Sequence, residues 1–267
     1  MAIEIDDLKE NYIVSSLVRG LKILSTFTIK TPSLKVSEIA EMTGLDQATV
    51  FRFVYTLEYL GYLVRDEETK RYHQSVRMLS LSLPAREGIA VREVALPVMF
   101  ELSEKINETV KLAVLDGVEI VMVALAEVMD KLVYRTPIGH RSASYCTAQG
   151  KALLAYQPME NWDRLISMID FMPRTENTIV DPQKFRQELL KVRQQGYAIQ
   201  DGEMLLGLGS LAAPVFDHAG KVVAAINISG LSIQILHEEK VGNIIDELVN
   251  SARNISLKLG YIPEKGG

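Results

Sequence analysis

The chain has 267 residues, which is enough for two domains that each bury their own core. It is 48% hydrophobic and 24% charged, as globular proteins are, and its single cysteine, Cys146, excludes an internal disulfide. Its first residues lack a signal-peptide pattern and its apolar stretches are too short to span a membrane, so we expect a cytoplasmic protein without a membrane partner. The net charge of −5 gives no indication of nucleic-acid binding, and residues 11–75 hold eight Lys/Arg against seven Asp/Glu.

The first part of the chain has the pattern of a helix-turn-helix. An amphipathic helix is predicted over residues 14–28, and a short helix follows at Glu38–Met42, with Ser37 as the expected N-cap. After a turn that contains glycine, Asp46 is expected to cap a longer helix that runs to about Leu60. A short helix, a turn and a longer capped helix form this motif.

Two short strands are then predicted at residues 62–65 and 71–74, on either side of a charged turn. Helix pairs with such turns also occur in ordinary bundles, and the wing made by the strands is what favours DNA binding. We therefore assign residues 11–75 to a winged helix-turn-helix DNA-binding domain. Residues 76–96 are assigned to a helical linker, and Pro97 suits the first turn of the next helix.

The remaining residues, 97–267, alternate hairpins with helices. The clearest hairpin joins residues 110–115 to 118–125 through the turn Asp116-Gly117. Further strands are predicted at residues 131–135, 197–200, 210–216 and 221–229, and helices at residues 147–156, 161–169, 182–196 and 237–259. This pattern predicts an antiparallel α+β domain.

The longer helix after Asp46 is expected to present its N-terminal residues to the major groove. Arg52 suits a bidentate bond to guanine, Gln47 suits adenine, and Thr49 suits a phosphate. The other candidate DNA contacts lie on this helix, on the first helix or on the wing: Ala48, Tyr55, Arg19, Lys22, Lys70 and Arg71. The position of Arg52 is equally consistent with an ordinary solvent-exposed arginine that does not contact DNA.

In the second half, Thr147 is expected to cap a helix that starts at Ala148. The first amides of that helix, at Ala148, Gln149 and Gly150, favour an anion such as a small carboxylate. Lys151 adds positive charge there, or faces solvent or a carboxylate partner. The local sequence alone favours an ordinary capped helix without a ligand.

Two N-terminal segments resemble the DNA-binding domain of the IclR family: "VSSLVRGLKIL" and "VSEIAEMTGLDQATVFRFVYTLEYLGYLVRDEETKRYHQS". Three later segments resemble blocks of the family's effector-binding domain: "TAQGKALLA", "QGYAIQDGEMLLGLGSLAAPVFD" and "GKVVAAINISG". The resemblance runs from about Val14 to Gly260 and implies a GAF-like fold, with a central antiparallel sheet flanked by helices. Ala48 stands where family members usually carry Ser, which leaves Thr49 and Arg52 as the best candidate contacts.

The resemblance also implies a pocket for a small effector. Its predicted residues are Tyr134, Ser142, Ala148, Gln149, Gln200, Ser210, Asn227 and Ser229. The side chains expected to hold the effector are uncharged, so we expect a polar organic acid, either a sugar acid or an aromatic acid, and no cofactor. The sequence is most similar to members that respond to sugar acids.

Together these features predict a two-domain transcriptional regulator, either a repressor or an activator, whose binding to operator DNA is controlled by the effector. The resemblance implies a homodimer or homotetramer, and we expect two chains to pair through their N-terminal helices and Ser75–Val91. One alternative is a regulator that acts through protein partners without touching DNA.

The other alternative is an enzyme that processes a small molecule. The segment Gly207–Ala212 resembles a nucleophile elbow, but Ser210 lacks the second glycine and Pro214 stands where a helix should begin. The four histidines and Cys146 show no metal-ligand spacing, so no metal is expected.

Overall fold

The chain divides into two compact units, Met1–Gly88 and Ile89–Gly267. The computed structural model describes residues 13–28, 30–81, 90–128 and 136–262. Much of the expected linker and the strand expected at residues 131–135 lie outside the described residues.

In the described residues, unit Met1–Gly88 combines helices with a three-stranded antiparallel sheet of order β1-β3-β2. Its elements are α1 (Ser15–Leu24), β1 (Ser33–Leu34), α2 (Val36–Thr43), α3 (Gln47–Tyr59), β2 (Leu63–Arg65) and β3 (Tyr72–Gln74). Residues 77–81 are again helical. The predicted winged helix-turn-helix is therefore confirmed at the level of its elements.

The turn between α2 and α3 is formed as its sequence predicts. Gly44 takes the left-handed conformation with φ 69°, which glycine adopts without strain. The carboxylate of Asp46 accepts the Thr49 N–H at 2.9 Å and caps α3. The expected Ser37 cap is wrong, because α2 begins at Val36 and the Glu38 carboxylate accepts the Lys35 N–H at 2.7 Å.

The core of this unit is formed where the helices meet the sheet, by Ile23, Phe27, Leu34, Ile39, Ala40, Val50, Val54, Leu63 and Tyr72. α1 contributes only Ile23 to this set, and its other apolar face points outward. Val14, Leu17, Val18 and Leu21 are 51–62% exposed on that face.

As far as the unit is described, Ile89–Gly267 is built on a six-stranded antiparallel sheet of order β6-β5-β4-β9-β8-β7. The strands are β4 (Val110–Asp116), β5 (Glu119–Ala126), β6 (Arg141–Ala143), β7 (Ala198–Asp201), β8 (Leu208–Phe216) and β9 (Val222–Leu231). The helices are α4 (Ala90–Ile106), α5 (Ala148–Ala155), α6 (Trp162–Ser167), α7 (Pro182–Gln195), α8 (Ser232–Ile235) and α9 (Glu238–Lys258).

Each face of this sheet carries its own hydrophobic cluster, because alternate residues of a strand point to opposite faces. Leu112 and Ile226 belong to the cluster that includes residues of α4 and α9. Their chain neighbours Ala113 and Ala225 point to the other face and belong to the cluster that includes residues of α5 and α7.

Three details of the second unit differ from the sequence prediction. Pro97 does not begin a helix but lies inside α4, whose buried Ala95, Val98 and Met99 pack into the core. Burial of these side chains offsets the missing N–H of Pro97, which usually costs about 3 kcal/mol inside a helix. Strand β6 and helix α8 were not predicted, and each is too short to show a period.

Candidate functional site

The α3 surface presents most of the predicted DNA contacts. Gln47, Ala48, Arg52 and Tyr55 are exposed and Thr49 is half-buried, while Val50 and Val54 are fully buried on the opposite face. The ring of Tyr55 stacks on that of exposed Phe51, with centroids 6.2 Å apart. α3 therefore turns one polar and aromatic face to solvent.

Arg19 on α1 and Arg52 on α3 border a common cleft of about 300 Å³, together with Thr49. Within the described part of the chain, neither guanidinium makes a hydrogen bond or ion pair. Two cations are thus placed together beside a hydroxyl.

The remaining predicted cations have partners within the fold. The Arg71 guanidinium bonds the Glu38 carboxylate at 2.8 Å and the Ser33 carbonyl at 3.0 Å. The Lys35 N–H and this guanidinium hold the pKa of the Glu38 carboxyl below its ordinary value. Lys70 pairs with Glu67 at 3.0 Å, and the Lys22 ammonium donates to the Thr43 carbonyl at 2.6 Å.

A cavity of about 1150 Å³ lies in unit Ile89–Gly267 and brings together seven of the eight predicted effector residues. They are Ser142, Ala148, Gln149, Gln200, Ser210, Asn227 and Ser229. Tyr134, the eighth, lies outside the described residues.

Strand register explains why four of these residues share one face of the sheet. Ser210 on β8 lies opposite both Gln200 on β7 and Ser229 on β9. Asn227 is two residues from Ser229 and so points to the same side. These side chains form a polar floor beneath the cavity.

Three members of the floor, Gln200, Ser210 and Asn227, also bond within the fold. The Asn227 amide donates to the carbonyls of Leu211 and Ile228 at 3.2 Å each. The Gln200 amide lies 3.1 Å from the Ser210 hydroxyl. When the amide nitrogen of Gln200 faces Ser210, the amide oxygen accepts the Glu203 N–H at 2.7 Å. These bonds fix the orientation of both amides in the cavity wall.

The start of α5 lies at the cavity, as the sequence predicts. The Thr147 hydroxyl accepts the Gly150 N–H at 3.2 Å and donates to the Ala143 carbonyl at 3.1 Å. Gln149 is only 5% exposed, and its amide nitrogen has no hydrogen-bond partner among the described residues. A buried donor without a partner is uncommon in folded proteins and points to a missing acceptor.

Lys151 faces away from the cavity, although it follows these residues directly. It is 1% exposed, and its ammonium bonds the carboxylates of Glu203 at 2.5 Å and Glu188 at 3.2 Å. Burial raises the pKa of the Glu203 carboxyl, and Lys151 partly opposes this rise. Of the roles left open for Lys151, the structure shows the carboxylate partner.

The sequence reading missed the charged residues of the cavity wall, which are Glu108, Lys111, Arg174 and Lys240. Lys111 is the most enclosed of them, at 4% exposure, and its ammonium lies 3.5 Å from the Thr136 hydroxyl. Burial lowers the pKa of Lys111 to about 8. The sequence signal that could have identified Lys111 is its position as the one lysine in the otherwise apolar strand "VKLAVL".

Cys146 also lines the cavity, and burial raises the pKa of its thiol to about 11. In the described ranges, no three His, Cys, Asp or Glu side chains group as a metal site requires. No helix in those ranges is long and apolar enough to cross a membrane.

A winged helix-turn-helix joined to a domain with a large cavity above a polar sheet floor is the architecture of a ligand-responsive transcriptional regulator. The chain matches the IclR helix-turn-helix domain over residues 16–67 and the bacterial transcriptional regulator IclR C-terminal domain over residues 85–257. It therefore belongs to the IclR family, whose members are DNA-binding regulators and not enzymes.

Relatives of known sequence and structure agree with this assignment. The HTH-type transcriptional regulator KdgR of Dickeya chrysanthemi is 32% identical, over 93% of this chain and 81% of that protein. The regulator KipR of Bacillus subtilis is 30% identical, over 92% of this chain and 97% of that protein. The crystal structure of a Rhodococcus sp. RHA1 regulator, 32% identical, superposes with a TM-score of 0.81 over 92% of this chain and 98% of that one.

A further crystal structure shows the same fold with a ligand. It is an IclR homolog from Microbacterium hydrocarbonoxydans, 22% identical, in complex with 4-hydroxybenzoate. Its TM-score is 0.80, over 91% of this chain and 98% of that chain. The comparisons confirm the predicted family and its α+β two-domain fold.

Proposed function

We propose that this regulator binds operator DNA through α3 and that a small organic acid in the cavity of unit Ile89–Gly267 controls this binding. The observation that carries the proposal is the cavity itself, which joins the start of α5 to a polar sheet floor. The effector must bind the DNA-competent and incompetent forms with different affinity, since only such a difference shifts their populations.

The cavity suits an acid by its arrangement of donors. A carboxylate at the start of α5 would meet the first helix amides and the amide nitrogen of Gln149, which has no partner among the described residues. The floor of Gln200, Ser210, Asn227 and Ser229 would bind hydroxyl groups on the rest of the molecule, with Tyr134 and Ser142 on the wall. Such hydroxyls favour a sugar acid, and the 4-hydroxybenzoate complex of a relative keeps an aromatic acid as the second candidate.

The DNA contacts follow from the exposed α3 face. Arg52 would bond guanine, Gln47 adenine and Thr49 a phosphate, while Ala48 and Tyr55 would contact bases or backbone beside them. Arg19 shares the cleft of Arg52 and suits a phosphate. We expect Lys70 and Arg71 to contribute less, because each is held by a carboxylate of its own domain.

A homodimer would place two α3 helices on a pseudopalindromic operator. The exposed apolar face of α1 supports pairing through this helix, because covering it removes hydrophobic surface from water. The same pairing would bring a second Arg19 and a second Arg52 to the DNA and so double the cations of their cleft.

DNA binding is tested by gel shift on operator fragments selected from a random library. We expect affinity to fall steeply with salt and Arg52→Ala to weaken binding by about 1–3 kcal/mol while relaxing one base position. Glu160→Ala, an exposed position in the other unit, is the control. If no fragment is selected, the regulator acts through protein partners without direct DNA contact.

Effector binding is tested by thermal shift with gluconate and 4-hydroxybenzoate. An acid that binds the native state should raise the melting temperature with concentration, and Ser229→Ala and Gln149→Leu should reduce the shift. Ser167→Ala, on α6 outside the cavity lining, should leave it unchanged. An equal shift in all variants would place the acid outside the cavity.

A further inference from the structure

We propose that the ion pair of Arg71 with Glu38 positions the wing, residues 63–74, against α2, so that Arg71 supports operator binding without itself contacting a phosphate. The inference rests on the proposed function and deepens it, because it gives one predicted DNA contact a different role. A phosphate contact requires a guanidinium turned toward DNA, whereas this guanidinium is engaged within its own domain.

Arg71 connects three elements of unit Met1–Gly88 through one guanidinium. Its Nη2 donates to the Glu38 carboxylate on α2 at 2.8 Å and to the Ser33 carbonyl on β1 at 3.0 Å. Its Nε donates to the Ser33 hydroxyl at 3.2 Å. Both charged side chains are half-buried, so the pair is partly removed from solvent. A planar guanidinium suits this junction, because its donors point in fixed directions.

The tip of the wing depends on Arg71 for its direction. Its turn is closed on itself, since the Asp66 N–H donates to the Arg71 carbonyl at 2.8 Å and the Asp66 carboxylate accepts the Thr69 N–H at 2.7 Å. β3 pairs with β1 over two residues, and the Arg71 side chain continues this contact beyond the ladder by reaching Ser33. A closed tip fixed at its base moves as one body, so the side chain that fixes the base orients the tip.

Glu38 connects the wing to the helix-turn-helix. Its carboxylate also accepts the Lys35 N–H at 2.7 Å, which ties it to the start of α2. α2 leads through the Gly44 turn to α3, the helix proposed to enter the major groove. Wing and α3 must meet the same duplex, and holding them in one orientation before binding reduces the ordering cost of the complex.

The experiment compares two substitutions that remove the same negative charge from α2, by fluorescence anisotropy on the selected operator fragment. Loss of a carboxylate favours approach to a polyanion, so Glu41→Gln, at an exposed position, should leave affinity unchanged or raise it up to about twofold. Glu38→Gln should instead weaken binding about 3- to 10-fold, because the wing is no longer held. Glutamine can still accept the Lys35 N–H as a capping-box residue, so the start of α2 is kept.

A substitution of Arg71 separates positioning from contact. Arg71→Lys keeps the positive charge, so a phosphate contact would largely survive it. A single ammonium cannot reproduce the fork that bonds Ser33 and Glu38 together, so a positioning role would be lost. We expect Arg71→Lys to weaken binding about as much as Glu38→Gln does, and wild-type affinity in Arg71→Lys would overturn the inference.

Salt dependence gives a readout that a general loss of stability would not change. The exposed pair of Lys70 with Glu67 at the tip is weak enough to yield to a phosphate. When the tip is misdirected, Lys70 loses that phosphate, so Glu38→Gln and Arg71→Lys should each lower the slope of log affinity against log salt by about 1. A variant that is merely less stable loses active protein at every salt concentration and keeps the slope.

The outcomes separate this inference from the proposed function. If Glu38→Gln behaves as Glu41→Gln does, with an unchanged salt slope, the positioning role is rejected and DNA binding through α3 stands. If the wild type selects no fragment, the inference and the DNA-binding proposal are both rejected. Circular dichroism checks folding, and Glu38→Gln with its salt slope carries the test alone if Arg71→Lys does not fold.

Discussion

At the scale of single residues, Gly150 is a position where the fold leaves no room for a side chain. A Cβ built there would lie 2.2 Å from the Ser144 carbonyl oxygen and 2.3 Å from its Cα. Both are backbone atoms, so no side-chain movement relieves the contact. The glycine therefore allows α5 to approach the segment before it, which brings the helix start to the cavity.

We predict that Gly150→Ala lowers the free energy of unfolding by about 3 kcal/mol, because backbone must shift to admit one methyl group. Gly242→Ala on α9 is the matched control, since nothing lies within 4 Å of a Cβ at that position. The control should gain about 0.5–1 kcal/mol from the higher helix propensity of alanine. Urea unfolding of the two variants measures both effects, and equal losses would contradict the packing argument.

Lys151 shows how a buried charge can hold a site without touching the ligand. Its bonds to Glu203 and Glu188 join α5 to the segment after β7 and to α7. Gln200 accepts the Glu203 N–H, so the same segment orients one amide of the cavity floor. The ion pairs therefore position elements around the cavity.

At the scale of elements, helix starts organise both units. Asp46 caps α3, Thr147 caps α5, and Asp181 caps α7 by accepting the Lys184 N–H at 2.8 Å. In the first two cases the capped end carries residues of a proposed site. A cap therefore fixes the direction in which those residues point as well as stabilising its helix.

We predict that Thr147→Ala lowers the free energy of unfolding by about 1 kcal/mol, because the Gly150 N–H loses its acceptor. The substitution should also weaken the binding of any acid at the start of α5. Thr147→Ser keeps the hydroxyl and should retain most of both properties. Thermal unfolding with and without gluconate tests this, and an alanine variant as stable as the serine variant would show that the cap is dispensable.

Local signals in the sequence identified most elements, whereas the residues of the candidate cavity were predicted from the resemblance to the IclR family. Caps such as Asp46 and Thr147, and the turn at Gly117, act over a few residues and are readable from the chain alone. Pro97 misled the prediction because burial of the surrounding helix overrides its local preference. Lys111 was missed because its place in a cavity depends on pairing with β9, more than a hundred residues away.

At the scale of the whole molecule, the exposed apolar face of α1 is the surface that our proposal assigns to pairing. Val14, Leu17, Val18 and Leu21 follow the spacing of one helix face, and each is more than half exposed. Contiguous apolar surface of this kind is typical of interaction sites. A second copy of the chain is the partner that our proposal requires.

We predict that Leu17→Asp with Leu21→Asp shifts the regulator toward smaller assemblies and reduces operator affinity, because a charged face cannot be buried without a large desolvation penalty. Sedimentation velocity over a range of protein concentrations measures the assembly state. Ser16→Asp, an exposed polar position on the same helix, adds charge outside the apolar face and is the control. Unchanged sedimentation of the double variant would place the pairing surface elsewhere.

Because Lys111 is buried in the cavity wall, binding of the acid is coupled to uptake of a proton by this lysine. Near pH 8 about half of the molecules carry a neutral Lys111, since its pKa is about 8. A bound anion favours the ammonium and raises that pKa, so binding at this pH should take up about half a proton, while near pH 6 uptake should vanish. Affinity should then decline as pH rises above the pKa of the unliganded protein.

Calorimetric titration in buffers of different ionisation enthalpy measures this uptake directly, and Lys111→Met should abolish it. The other titratable groups of the wall and its surroundings, Glu108 and Glu127 among them, are present in both proteins and cancel in the comparison. The regulator would then report the concentration of its acid together with the acidity around it, responding more strongly as the pH falls.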